Sequence, residues 1–283
     1  MQAVPLIALL AGLAYLAAGI GLALGYFHSR PAWRNLAVAL ALVGVAGHAV
    51  VVWSRMVTPL GIDANFINIL GLAALMTVVV LLASSLRSRM LEAGILVFPG
   101  AAVCLWLMWL VRSSPLVLTQ AGTMLEIHVF SSLLAWSLLL IAAISAMMLA
   151  AQDYLLRHPR PIRQLEFLPP LTVLETLMFR LVAGGWLVLS LSLLTGLMFI
   201  DDLLAQHLVH KTVLSLASWI LFGLLLGGRW WFGWRGRRAV NWTLIAMLLL
   251  ALAYFGSKLV LEVILERTWT GSPTVMLSLP FNG

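Results

Sequence analysis

HVFSSLLAWSLLLIAAISAMML, residues 128–149, carries no charged side chain. At ~1.5 Å of rise per residue, a helix of this length crosses the ~30 Å hydrocarbon core of a bilayer. Backbone amides cannot go unpaired in hydrocarbon, so a spanning segment must be a helix or a barrel strand. Barrel strands are shorter and alternate apolar with polar residues, a pattern this run lacks. Similar runs recur at 4–27, 35–53, 66–82, 92–111, 181–199, 212–226 and 240–261. The 283-residue chain is 63% hydrophobic and only 10% charged, whereas soluble domains carry roughly 25% charged residues. The expected fold is therefore all-α, a polytopic transmembrane bundle of about eight spans forming a single integral membrane domain over 1–283. The first run, 4–27, lacks a basic leading region and exceeds a typical signal core, so it reads as a retained span.

The loops orient the bundle. Those after the first, third, fifth and seventh runs hold Arg30, Arg34, Arg87, Arg89, Arg157, Arg160, Arg163, Arg180, Arg229, Arg235, Arg237 and Arg238, which is 12 of the 17 basic residues. The other side holds Arg55, Arg112, Lys211, Lys258 and Arg267. The positive-inside rule puts the first set in the cytoplasm and both termini on the extracytoplasmic side. The net charge of +7 is thus an orientation signal and does not point to nucleic acid. The longest cytoplasmic loop, 150–180, combines arginines, prolines and an apolar stripe. It reads as an interfacial segment on anionic lipid or as a docking site for a cytoplasmic partner. Trp230, Trp231 and Trp234 beside arginines fit an aromatic belt. Gly184, Gly185 and Gly196 in the sixth run fit close helix packing.

Cys104 is the only cysteine, which excludes an intrachain disulfide, and no Cys-x-x-Cys-His heme-attachment motif is present. Phosphate-binding loops and nucleophile elbows are also absent. Midspan carboxylates, the mark of a proton relay or ion pathway, are missing, which ranks transport last. The histidines remain. Of six, His28 and His158 fall in basic loops and read as solvated. His48 lies toward the outer end of the second span, while His128 opens the fifth, and His207 and His210 precede the seventh. His128 and His210 share a depth; His48 lies deeper. Imidazole serves as an axial ligand to heme iron. Lys211, Lys258, Arg55 and Arg112 supply cations on the same side for heme propionates. Interfacial placement without a ligand is the alternative for each histidine. Zinc has only the His207 and His210 pair in its favour.

LEIHVFSSLLAWSLLLIAAISAMMLAAQDYLLR, 125–157, resembles the histidine-led helix of the cytochrome c assembly protein family. GWRGRRAVNWTLIAMLLLALAYFGSK, 233–258, resembles that family's last helix and its preceding basic loop. With LPPLTVLETLMFR, 168–180, the pattern is most similar to the family's YpjD/HemX-type inner-membrane branch, among relatives of the CcsA/CcmC-like heme handlers. The resemblance covers roughly residues 35–262, most closely from 120 onward. It implies a multi-pass protein of the bacterial inner membrane that handles heme b in cytochrome c assembly, without being an enzyme. His128 and His210 are then axial ligands, His48 an internal ligand or support, and Lys211 and Lys258 propionate partners. Heme, membrane lipid and other cytochrome c maturation proteins are the implied partners. The chain departs from the family in three respects: IDDLLAQHLVHK, 200–211, stands where heme handlers carry an external tryptophan-rich stretch, Gly228 stands where they carry a further histidine, and no histidine follows the eighth span. A non-heme membrane scaffold or regulatory protein, acting through its basic cytoplasmic loops, is the alternative function.

Overall fold

The computed structural model describes residues 3–28, 31–59, 61–86, 90–111, 117–118, 123–157, 170–198 and 206–256. Among these, eight helices are long and apolar enough to cross a membrane. They are α1 (Ala3–His28), α2 (Pro31–Met56), α3 (Phe66–Ser85), α4 (Gly94–Leu110), α5 (Thr123–Arg157), α6 (Leu171–Leu197), α7 (Gln206–Phe232) and α8 (Gly236–Ala251). A π-helical turn, Leu252–Gly256, ends the last of them. α1 packs on α2 and α4, α3 on α4, and α5 on α6 and α8, with α7 against α8; α3 and α5 join the two groups.

On α1 burial runs opposite to that of a soluble helix. On α1 the inward face is Ala8, Ala11, Ala14, Tyr15 and Ala18, while Leu6, Leu10 and Ile20 stand exposed. Lipid tails are as apolar as leucine, so large aliphatics gain nothing by facing inward, and small residues let backbones approach. α5 is the most enclosed helix: 67% of its most apolar window is buried, against 28% for α7. Serine and threonine meet between it and α3, where the Thr77 and Ser137 hydroxyl oxygens lie 3.3 Å apart. Each hydroxyl donates to a carbonyl one turn back, so neither is left unpaired in hydrocarbon.

Of the three sixth-run glycines, Gly185 and Gly196 pack closely against α5 and Gly184 does not. A Cβ at Gly185 would lie 2.6 Å from Leu139 Cγ, whereas one at Gly184 meets nothing. Gly185→Val is expected to cost about 1–3 kcal/mol of unfolding stability through overpacking. Gly184→Val should be nearly neutral, and thermal melting in detergent compares the two.

Two features differ from the expectation. α6 begins at Leu171, so much of the 150–180 loop is helical, with 150–157 in α5 and only 158–169 outside the described residues. The reason is a helical stripe, with Leu174, Met178, Leu181 and Val182 all buried. The second is a three-stranded antiparallel sheet of β1 (Val57–Thr58), β2 (Gly61–Asp63) and β3 (Val117–Leu118), in that order. Gly61 has φ 138°, a conformation costly for any residue with a Cβ. Beyond the sheet, the Asn65 side chain caps α3 by accepting from the Asn68 amide at 2.9 Å. The buried Asp63 carboxylate accepts from the Asn65 amide and its side-chain Nδ2. At the same end the Arg55 guanidinium donates to the Trp109 carbonyl, tying α2 to α4.

Candidate functional site

His128 stands in the second turn of α5 and turns toward α6. Its Nδ1 lies 2.8 Å from the Ser192 carbonyl and 3.4 Å from Thr195 Oγ1. A carbonyl only accepts, so neutral His128 carries its proton on Nδ1 and its lone pair on Nε2. This is the arrangement by which an outer hydrogen bond orients a metal-binding imidazole. The ring rests on Gly196, where a Cβ would come within 2.9 Å of His128 Cε1. The glycine is therefore a cradle for the imidazole.

The neighbouring helices complete a polar cluster. The Lys211 ammonium lies within electrostatic range of His128 and 5.8 Å above the Tyr254 ring. Tyr254 belongs to the π-helical turn after α8, a kind of helix defect often found at functional sites. Its hydroxyl lies beside the side chains of Ser132 and Ser192, and its ring meets Trp136 with centroids 5.7 Å apart. Ser192 thus orients His128 with its carbonyl and lies beside the Tyr254 hydroxyl. A cavity of about 480 Å³ opens on the adjacent face of α5, lined by Glu126, Ile127, Phe130 and Ser131 together with Met76 of α3 and Leu191 of α6.

His48 sits elsewhere. It is fully buried in α2, edge-on to Tyr15 of α1 at 5.9 Å between centroids. The Gly71 backbone lies beside it, but among the described residues neither ring nitrogen makes a hydrogen bond, nor does the Tyr15 hydroxyl. His48 and His128 share no hydrogen bond or ring contact among the described residues. Of the five residues singled out from sequence, the structure brings His128 and Lys211 together. The backbone of His210 lies in α7, but its side chain is outside the described residues, as is Lys258 altogether. Tyr254, Ser192 and Thr195 escaped the sequence reading. The available signal was a tyrosine within the last span, one helical turn before Lys258 and one of only 4 in the chain.

These residues fit a heme on its axial side. An axial position takes one neutral imidazole nitrogen, and His128 presents one in a fixed orientation with a cation alongside. His48 adds two buried nitrogens without hydrogen-bond partners among the described residues, in the other half of the bundle.

Residues 48–265 match the model of the cytochrome C assembly protein family. The chain belongs to that family. This family member is 32% identical over 267 residues to inner membrane protein YpjD of Escherichia coli strain K12, covering 92% of this chain and 99% of YpjD. The YpjD protein of Escherichia coli O157:H7 gives the same figures. An uncharacterized 28.8 kDa protein in the nifR3-like 5' region of Azospirillum brasilense is 36% identical over 146 residues, or 51% of this chain and 54% of that protein. No solved structure matches significantly. With eight membrane-crossing helices and these relatives, the family member is a multi-pass inner-membrane protein.

Proposed function

We propose that this protein binds heme at the His128 end of the bundle and presents it during cytochrome c assembly, as a binding protein and not an enzyme. The observation that carries the reading is the His128 imidazole, held by the Ser192 carbonyl and seated on Gly196. Heme b, when bound, supplies an iron centre whose oxidation state and ligation can change. The chain's residues bind and orient. His128 would hold the iron through Nε2, with His210 proposed as a second ligand. Lys211, with Lys258, meets the propionate carboxylates. Tyr254 positions the site through Ser192. His48 is an internal ligand or support at a second position. Positive-inside charge places this end, and both chain termini, on the extracytoplasmic side. Other cytochrome c maturation proteins are the partners that family membership supports.

Titration of the detergent-purified protein with hemin tests the reading. Saturable growth of a Soret band is expected; an unchanged spectrum of free hemin would overturn it. Tyr254→Phe removes one hydroxyl and leaves the ring on Trp136. It should speed heme loss to an apomyoglobin acceptor several-fold, in line with about 1 kcal/mol for a lost hydrogen bond. An unchanged release rate would remove Tyr254 from the site.

A further inference from the structure

The opposite end of the C-terminal helices carries a second constellation, which the heme reading does not use. α7 ends in Trp230, Trp231 and Phe232, which are 76%, 81% and 75% exposed. The chain then reverses into α8 through Gly233 and Gly236, both at positive φ (64° and 56°). A side chain at either would be strained, so the corner is built for a tight reversal. Among the described residues, four guanidiniums and one carboxylate stand around it. Arg229 pairs with Glu175 of α6 at 2.8 Å, and Arg235 approaches the same carboxylate at 3.4 Å. Arg238 lies over the Trp234 ring at 5.4 Å. Arg237 is exposed and makes no ion pair, hydrogen bond or ring contact among the described residues. Glu175 is held by Arg229 and Arg235, so the corner keeps an excess of positive charge at its rim.

We propose that the α7–α8 corner is a binding site for an anionic phospholipid, with Arg237 and Arg238 on the headgroup phosphate and Trp230, Trp231 and Phe232 against the acyl chains. Exposed indoles at the end of a spanning helix lie at headgroup depth. Guanidinium forks match phosphate oxygens bidentately. The uncompensated charge selects an anionic headgroup over a zwitterionic one. Glu175 locks the corner by engaging Arg229 and leaves Arg237 and Arg238 to the lipid.

Native mass spectrometry of the delipidated full-length protein tests this with dioleoylphosphatidylglycerol and dioleoylphosphatidylcholine as probes. The wild type should retain the glycerol lipid several-fold more than the choline lipid. Arg237→Gln/Arg238→Gln should bring the ratio to about one, while Arg157→Gln, which breaks only an exposed pair with Asp153, should leave it unchanged. Should the double variant fold poorly, Arg237→Gln alone removes a side chain with no partner among the described residues and should still lower the ratio. A wild type without preference, a preference that survives both variants, or an equal loss in Arg157→Gln would overturn the proposal.

Discussion

Replacing His128 with alanine is expected to lower heme occupancy of the purified protein by at least ~tenfold, since even the outer partners of metal-binding histidines are worth ~10–100-fold in affinity. The loss should be specific to the ligand atom. His128 is half-buried, and its packing partners are a glycine, a carbonyl and a threonine hydroxyl. Truncation therefore removes little apolar contact, and helicity and melting should change modestly. His158→Ala, altered in the basic loop segment, serves as the control and should keep wild-type occupancy. Gly196→Ala gives an intermediate case, because its Cβ would press on the imidazole without removing Nε2. Reduced-minus-oxidised absorbance spectra at matched protein concentration read all three. Equal occupancy in the His128 and His158 variants would take His128 out of the site.

Arg229→Ala should produce a large loss of stability, on the order of 2 kcal/mol. Breaking a fully buried pair costs roughly 3–5 kcal/mol, because the remaining charge stays desolvated and unpaired. Glu175 and Arg229 are 12% and 23% exposed, and Arg235 gives the carboxylate a second partner, so the lower figure applies. Arg229 also donates to the Trp234 carbonyl and covers the Phe179 ring at 4.7 Å, so lysine should rescue only part of the loss. Glu175→Gln/Arg229→Ala should recover a good fraction by removing the stranded charge. Melting of the four proteins in detergent closes the double-mutant cycle. A double variant whose loss equals the sum of the singles would mean that the pair is not coupled.

The membrane class and the number of spans were readable because each crossing needs a long uncharged run, and hydrocarbon leaves a helix no alternative. The shared neighbourhood of His128 and Lys211 was readable for a related reason: loop charge orders the helix ends, which groups residues by depth. Depth, however, does not fix lateral position. His48 and His128 both lie toward the same end by that reasoning, yet one packs on Tyr15 of α1 and the other on α6. The start of α6 was hidden by Glu175 and Arg180, which make 171–180 look like a loop until Arg229 is seen to neutralise Glu175. Tyr254 was hidden because its role depends on a π-helical turn, a local change of period that an apolar run does not announce.

The small sheet has a consequence for the heights of the helices. Ile62 pairs with Leu118 and Asp63 with Val117, so the strand leading into α3 is stitched to the strand shortly before α5. Strands cannot slide past one another by fractions. A one-residue slip moves ~3.4 Å and turns every side chain to the opposite face. The starting levels of α3 and α5 along the membrane normal are therefore indexed in discrete steps, as by a ratchet. His128, in the second turn of α5, takes its elevation from that index, so backbone pairing outside the lipid fixes a coordinate that the featureless apolar surfaces of the helices leave free.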